Sequence, residues 1–176
     1  MKNQYDLCLE VLNRLQRAGI LEKVIVIGSW CIYFFRSYFN DSSYSSSIRT
    51  RDLDFLVPIP TKFEKKPELG INAQALRFLD FLVENTIELE FENLKLKLPH
   101  PAAFGLHKLI ISSRRIKEEK RIKERREALL ILNTLIKKGE AKKIKSLFDS
   151  MPRRWKTKVI HALKESEGKN IIDILI

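Results

Sequence analysis

Apolar positions at helical spacing open the chain. Tyr5, Cys8, Leu9, Leu12 and Leu15 fall on one face, and Gly19 follows as a stop, so a first amphipathic helix is predicted. The spacing then changes. Val24-Ile25-Val26-Ile27 is a continuous β-branched run, the pattern of a buried strand, and Gly28-Ser29 breaks it. Residues 30–39 are strongly apolar and aromatic and read as a helix, followed by a Ser/Asn/Asp-rich loop over 40–47. Residues 52–57 form a second predicted strand, closed by Pro58 and Pro60, and residues 61–70 are a charged connection. The stretch 73–84 reads two ways, since Phe78-Leu79-Asp80-Phe81-Leu82-Val83 suits either a strand or a turn of helix.

Strict alternation follows. Ile87, Leu89 and Phe91 alternate with Glu88 and Glu90; Leu94, Leu96 and Leu98 alternate with Lys95 and Lys97. With Glu92-Asn93 between them, the two runs predict a hairpin whose opposite outer charges face each other. Beyond Pro99 the period returns to that of helices, with apolar positions at Leu106, Leu109 and Ile110, at Leu129, Leu132, Leu135 and Ile136, at Ile144, Leu147 and Phe148, and at Trp155, Val159 and Leu163, before an apolar tail ending at Ile176. The expected architecture is α+β: a core over residues 1–100 with a small mixed sheet and flanking helices, followed by a helical region over 101–176.

Charge adds a second layer. The net charge is +11, and between Lys108 and Lys145 there are 14 Lys/Arg against 5 Asp/Glu. Such a balance points to a partner with phosphates, although a solvated helix face would carry the same residues. Cys8 and Cys31 lie in apolar periodic segments without metal-ligand spacing, which fits a reducing cytoplasm. Met1 to Tyr5 lacks the apolar stretch of a signal peptide, and no window is apolar for long enough to span a membrane, so no membrane association is expected.

Two groups of residues invite chemistry. On a strand, Asp52 and Asp54 point to the same side with Leu53 between them facing away. Two carboxylates about 6 Å apart repel by about 3 kcal/mol at an effective dielectric near 20, which a cation would relieve. Their hard oxygens suit Mg²⁺ or Mn²⁺, which take few protein ligands plus substrate phosphates. Taken alone, the pair is also what an exposed strand edge would show. Gly28-Ser29, at a strand-to-helix turn, aims backbone N–H groups and a hydroxyl at one spot that favours phosphate; taken alone, it reads more simply as a turn with a serine N-cap.

Together these features resemble the nucleotidyltransferase superfamily that includes DNA polymerase β, whose pattern is an apolar strand, Gly-Ser or Gly-Gly, a spacer and an apolar-flanked Asp-x-Asp or Asp-x-Glu. Here it reads Val26-Ile27-Gly28-Ser29-Trp30, then Thr50-Arg51-Asp52-Leu53-Asp54-Phe55-Leu56-Val57, with the spacer lengthened by the Ser-rich loop. The segment Leu98-Pro99-His100-Pro101-Ala102-Ala103-Phe104-Gly105-Leu106-His107-Lys108-Leu109, leading to Ser113-Arg114-Arg115, resembles a group of bacterial nucleotidyltransferase-like proteins. The resemblance implies a third carboxylate on a neighbouring strand. Asp80 is favoured for it, because an acid inside an apolar run needs a partner, with Glu88 or Glu90 as competitors; a helical reading of 73–84 would remove Asp80 from the site.

The resemblance further implies transfer of a nucleoside monophosphate from a nucleoside triphosphate to an acceptor hydroxyl. Asp52, Asp54 and Asp80 would hold Mg²⁺ or Mn²⁺ and carry catalysis. Gly28 and Ser29, with Arg51 and Lys108, would bind the nucleotide. Arg114, Arg115, Lys120 and Lys123 would contact a nucleic-acid or protein acceptor. The alternative is a non-catalytic nucleotide- or nucleic-acid-binding module on the same fold. His107 is read as a packing or capping residue, His100 as structural at a helix start, and Trp30 and Tyr33 as core.

Overall fold

A computed structural model describes residues 3–41, 44, 52–58 and 78–176. Most of the Ser-rich loop, Arg51, Pro60 and the charged connection 61–70 therefore lie outside the described residues.

Helix α1 (Gln4–Arg17) starts at a reciprocal cap. The Asn3 side chain accepts from the Asp6 amide at 2.9 Å, and the Asp6 carboxylate accepts from the Asn3 amide at 3.3 Å. It ends where Gly19 takes φ +65° and the Ile20 amide reaches back to the Leu15 carbonyl. After a short 3₁₀ turn at Leu21–Lys23, β1 (Ile25–Ile27) runs into Gly28, and α2 (Trp30–Phe39) leaves from Ser29. Strand β2 (Asp54–Leu56) lies antiparallel to β1, with Ile25 opposite Leu56, Val26 opposite Phe55 and Ile27 opposite Asp54.

Residues 78–84 resolve the open choice in favour of helix: α3 (Asp80–Glu84) is a short helix, and its apolar Phe81 and Leu82 are buried. The predicted hairpin forms as β3 (Thr86–Phe91) and β4 (Leu94–Pro99), turning through Glu92 and Asn93, both with left-handed φ. That is the backbone a two-residue hairpin turn needs to match the strand twist. Its register sets Glu88 opposite Lys97 and Glu90 opposite Lys95. Leu94, Leu96 and Leu98 face inward, and Tyr5 ties α1 to the turn by donating to Glu92 at 3.0 Å. Strand β1 packs against β4, so the fold is α+β as expected; the described strands pair as two antiparallel ribbons.

Helix α4 (Pro101–Ser112) is buried on nearly every side, which is why its sequence is apolar all round. Pro101 occupies its first position, and His100 caps it by accepting from the Ala102 amide at 3.1 Å. Helix α5 (Glu118–Lys137) presses close at Gly105, where a Cβ would sit 2.9 Å from Leu132. Helices α6 (Ala141–Ser150), α7 (Arg153–Lys164) and α8 (Lys169–Leu175) complete the helical half, α8 being the apolar tail. One core runs from Cys8 on α1 to Leu175 on α8. Among the described residues no helix is long and apolar enough to cross a membrane.

Candidate functional site

The site is built where β1 ends. Gly28 turns the chain at φ +78°, a conformation that a side chain would strain. The adjacent β2 strand places Asp54 directly beside that turn. A Cβ on residue 28 would overlap the Asp54 Oδ2 atom and stand 3.2 Å from its Cβ and Cγ. The missing side chain is thus the space in which the carboxylate rests. Ser29 and the first turn of α2 complete the rim. The Gly28 carbonyl accepts from the Cys31 amide and the Ser29 carbonyl from the Ile32 amide, both at 3.2 Å. Ser29 stands at the N-cap position, as its sequence context suggests, yet its hydroxyl makes no capping bond to the helix.

Asp54 feels its surroundings. Its carboxyl is held above the usual range, first by partial burial and then by the negative charge of Asp52, while Lys108 pulls it back down. Asp52, two residues earlier, lies just ahead of β2 and is exposed. The expected pair is therefore in electrostatic contact beside Gly28.

Lys108 does not project freely toward this site. It is buried on α4, where its ammonium lies 2.5 Å from Glu124 and 2.7 Å from Glu127, both on α5. Glu124 also takes Arg115 at 2.7 Å. Burial opposes the Lys108 charge, but the two carboxylates more than offset it and raise its pKa; the same contacts hold Glu124 below the usual carboxylate range. Lys108, expected to bind the triphosphate, is here ion-paired with two acids and acts on Asp54 through space. Sequence reasoning missed Glu124 and Glu127. The signal was present, because Glu124 continues the buried stripe of Ala128, Ile131 and Leu135 by one turn, and a buried acid calls for a cation.

Asp80 is also placed differently from expectation. It opens α3, exposed to solvent, and it belongs to no strand. The apolar run that suggested a strand is the buried side of a single helical turn. Glu88 and Glu90 lie exposed on β3, opposite lysines. Among the described residues no three acids, histidines or cysteines gather as a metal-ligand cluster. Arg51 lies outside the described residues.

Of the basic residues expected to meet an acceptor, Arg114, Lys120 and Lys123 are exposed, while Arg115 is bound to Glu124. Arg114 stacks over the Phe78 ring at 4.3 Å, and Lys123 lies 3.8 Å from Glu127. The histidines are structural as read. His107 is buried, and burial followed by the neighbouring Lys108 charge pushes its pKa down to about 4. His100 joins three helices: its Nε2 lies 3.3 Å from the Tyr38 hydroxyl, which donates to Glu140 at 2.7 Å. Trp30 is buried against Phe34, and Tyr33 packs on Phe91.

A nucleotidyltransferase family matches residues 60–153, just over half of the chain, and the chain belongs to that family. The matched span begins after the Asp52/Asp54 pair, so the membership and the Gly-Ser/Asp-x-Asp pattern are carried by different residues. No curated protein and no solved structure is significantly similar to the chain.

Proposed function

We propose that the protein transfers a nucleoside monophosphate from a nucleoside triphosphate to an acceptor hydroxyl at the Gly28–Asp54 turn. The observation that carries this reading is the seating of the Asp54 carboxylate on Gly28, beside Ser29 and Asp52. A phosphate-binding turn and an acidic pair then converge within a chain of a nucleotidyltransferase family.

The donor set fits one hard divalent cation. Two carboxylates that repel each other match the preference of Mg²⁺ for one or two protein carboxylates plus substrate. Bound by Asp52 and Asp54, Mg²⁺ (or Mn²⁺) would supply charge neutralisation for the triphosphate. The chain's own groups do the positioning. The Ser29 hydroxyl and the N-terminal amides of α2 orient its β and γ phosphates. Arg51, adjacent in sequence to Asp52, adds a cation for phosphate. The acceptor oxygen forms its bond to the α-phosphorus as the α–β bridge breaks; pyrophosphate leaves and the hydroxyl proton passes to water. The acceptor is a nucleic acid or protein hydroxyl, in a cytoplasmic setting that suits the two buried free thiols.

Calorimetric titration with nucleoside triphosphate and Mg²⁺ tests the site. The parent should bind, and Asp52→Asn/Asp54→Asn should lose metal-dependent binding while keeping its circular dichroism spectrum. Equal binding by both proteins would move the site elsewhere.

A further inference from the structure

Several cations of the helical half are held by acids. Lys108 and Arg115 share Glu124, Arg121 pairs with Glu118 at 3.0 Å, Arg125 with Glu165, and Lys145 with Asp149 at 3.3 Å. Helix α7 differs. Its sequence, Arg153-Arg154-Trp155-Lys156-Thr157-Lys158-Val159-Ile160-His161-Ala162-Leu163-Lys164, contains no acid. Val159, Ala162 and Leu163 face the core; Arg153, Arg154 and Lys164 are exposed, and Lys158 is half-buried at the edge of the core-facing side. Among the described residues, none of these four has an acidic partner.

A fifth cation joins them from another element. Arg114, just past the end of α4, lies over Phe78 at 4.3 Å, and the Phe78 ring meets the edge of Trp155 on α7 at 5.1 Å. This aromatic pair brings Arg114 up beside Arg154 and Lys158. Their crowding shows in Lys158, whose pKa is lowered by partial burial and by the charges of Arg114 and Arg154. Like charges assembled on one face without acids are relieved by an anionic partner.

We propose that the face formed by Arg114, Arg154 and Lys158 binds the phosphodiester backbone of a nucleic acid. Arg154 and Lys158 are one helical turn apart, a rise of about 6 Å, roughly two nucleotides along a strand at about 3.4 Å each. Helix α7 itself offers a protein partner no exposed aromatic or aliphatic anchor, since Trp155 and Ile160 are half-buried against the core. Binding here requires no catalysis and stands apart from the transfer reaction.

Fluorescence anisotropy with a short labelled RNA and a duplex DNA, over a salt titration, tests it. The full chain should bind one or both. Arg114→Gln/Arg154→Gln/Lys158→Gln should weaken binding at least about tenfold and flatten the log–log salt slope by about 2 to 3, since each phosphate contact contributes about 0.7 to 0.9. Because Arg114 packs on Phe78, Arg154→Gln/Lys158→Gln serves as a second variant, with a slope change of about 1.4 to 1.8. The control Lys137→Gln/Lys138→Gln/Lys142→Gln removes equal charge from elsewhere and should change binding far less. An equal loss in that control, no binding by the parent at low salt, or tighter binding of poly-glutamate than of either nucleic acid would overturn the proposal.

Discussion

Asp54 occupies the space that a side chain at Gly28 would fill. Gly28 is thereby constrained twice, by its left-handed φ and by the carboxylate lying on its Cα. Gly28→Ala should cost about 1–3 kcal/mol of stability and displace Asp54. Metal-dependent nucleotide binding should weaken by at least about tenfold, or about 1.4 kcal/mol. Gly19→Ala is the matched control: φ is +65° there, but a Cβ meets nothing within 4 Å. It should lose comparable stability in urea melts and retain nucleotide binding.

The Asp52 charge contributes to the raised Asp54 pKa, and the Lys108 charge opposes it. Carboxyl resonances followed by NMR should therefore show the Asp54 titration moving to lower pH in Asp52→Asn. An unchanged Asp54 midpoint would mean that the two acids do not share one site.

Lys108 stabilises the α4–α5 contact from within. Lys108→Met leaves the buried Glu124 and the half-buried Glu127 without their shared cation, and should cost about 3–5 kcal/mol in urea denaturation. Adding Glu124→Gln and Glu127→Gln should recover part of that loss. The pH dependence follows from both partners. Lys108 has a raised pKa, so its contribution is complete below the ordinary lysine value of 10.5 and disappears as pH climbs through the folded value. Glu124 has a lowered pKa, so its contribution is complete above the ordinary glutamate value of 4.5 and disappears as pH falls through the folded value.

His107 sets a separate window. Its pKa falls from 6.5 to about 4 in the fold, so the unfolded chain binds the additional proton between those values. Stability should drop by about 3 kcal/mol as pH falls from 6.5 to 4, at about 1.4 kcal/mol per unit. Thermal melts of His107→Gln should lack this slope; a parent-like slope would assign it to other groups.

Asp80 opens α3 on the surface rather than lining a strand beside Asp52. Asp80→Asn should leave nucleotide binding unchanged in calorimetry and alter stability by only a few tenths of a kcal/mol, the scale of an acid at a helix start. A large loss of binding would return Asp80 to the site.

Where burial imposes a period, the chain was legible. The alternating Leu94, Leu96 and Leu98 marked β4, and Tyr5 to Leu15 marked α1, because one face of each element is buried. The segment around Asp80 was not decidable, since five residues with two buried apolar positions satisfy a helical turn and a strand alike. At the site, Gly28, Ser29 and the acidic pair were visible as a spacing, and their convergence is fixed by the pairing of Ile27 with Asp54. The charge pattern misled for a physical reason. Counting cations between Lys108 and Lys145 cannot show that Lys108, Arg115, Arg125 and Lys145 already face acids, whereas the cations of α7 lie on a helix without any.

The most direct test of the central claim is transfer of label from α-phosphate-labelled nucleoside triphosphates to macromolecular acceptors in cell extract, with Mg²⁺ or Mn²⁺. The parent protein should label an acceptor and release pyrophosphate, and folded Asp52→Asn/Asp54→Asn should do neither. Transfer by the double variant at the parental rate, or nucleotide binding by the parent without transfer to any acceptor, would contradict the account.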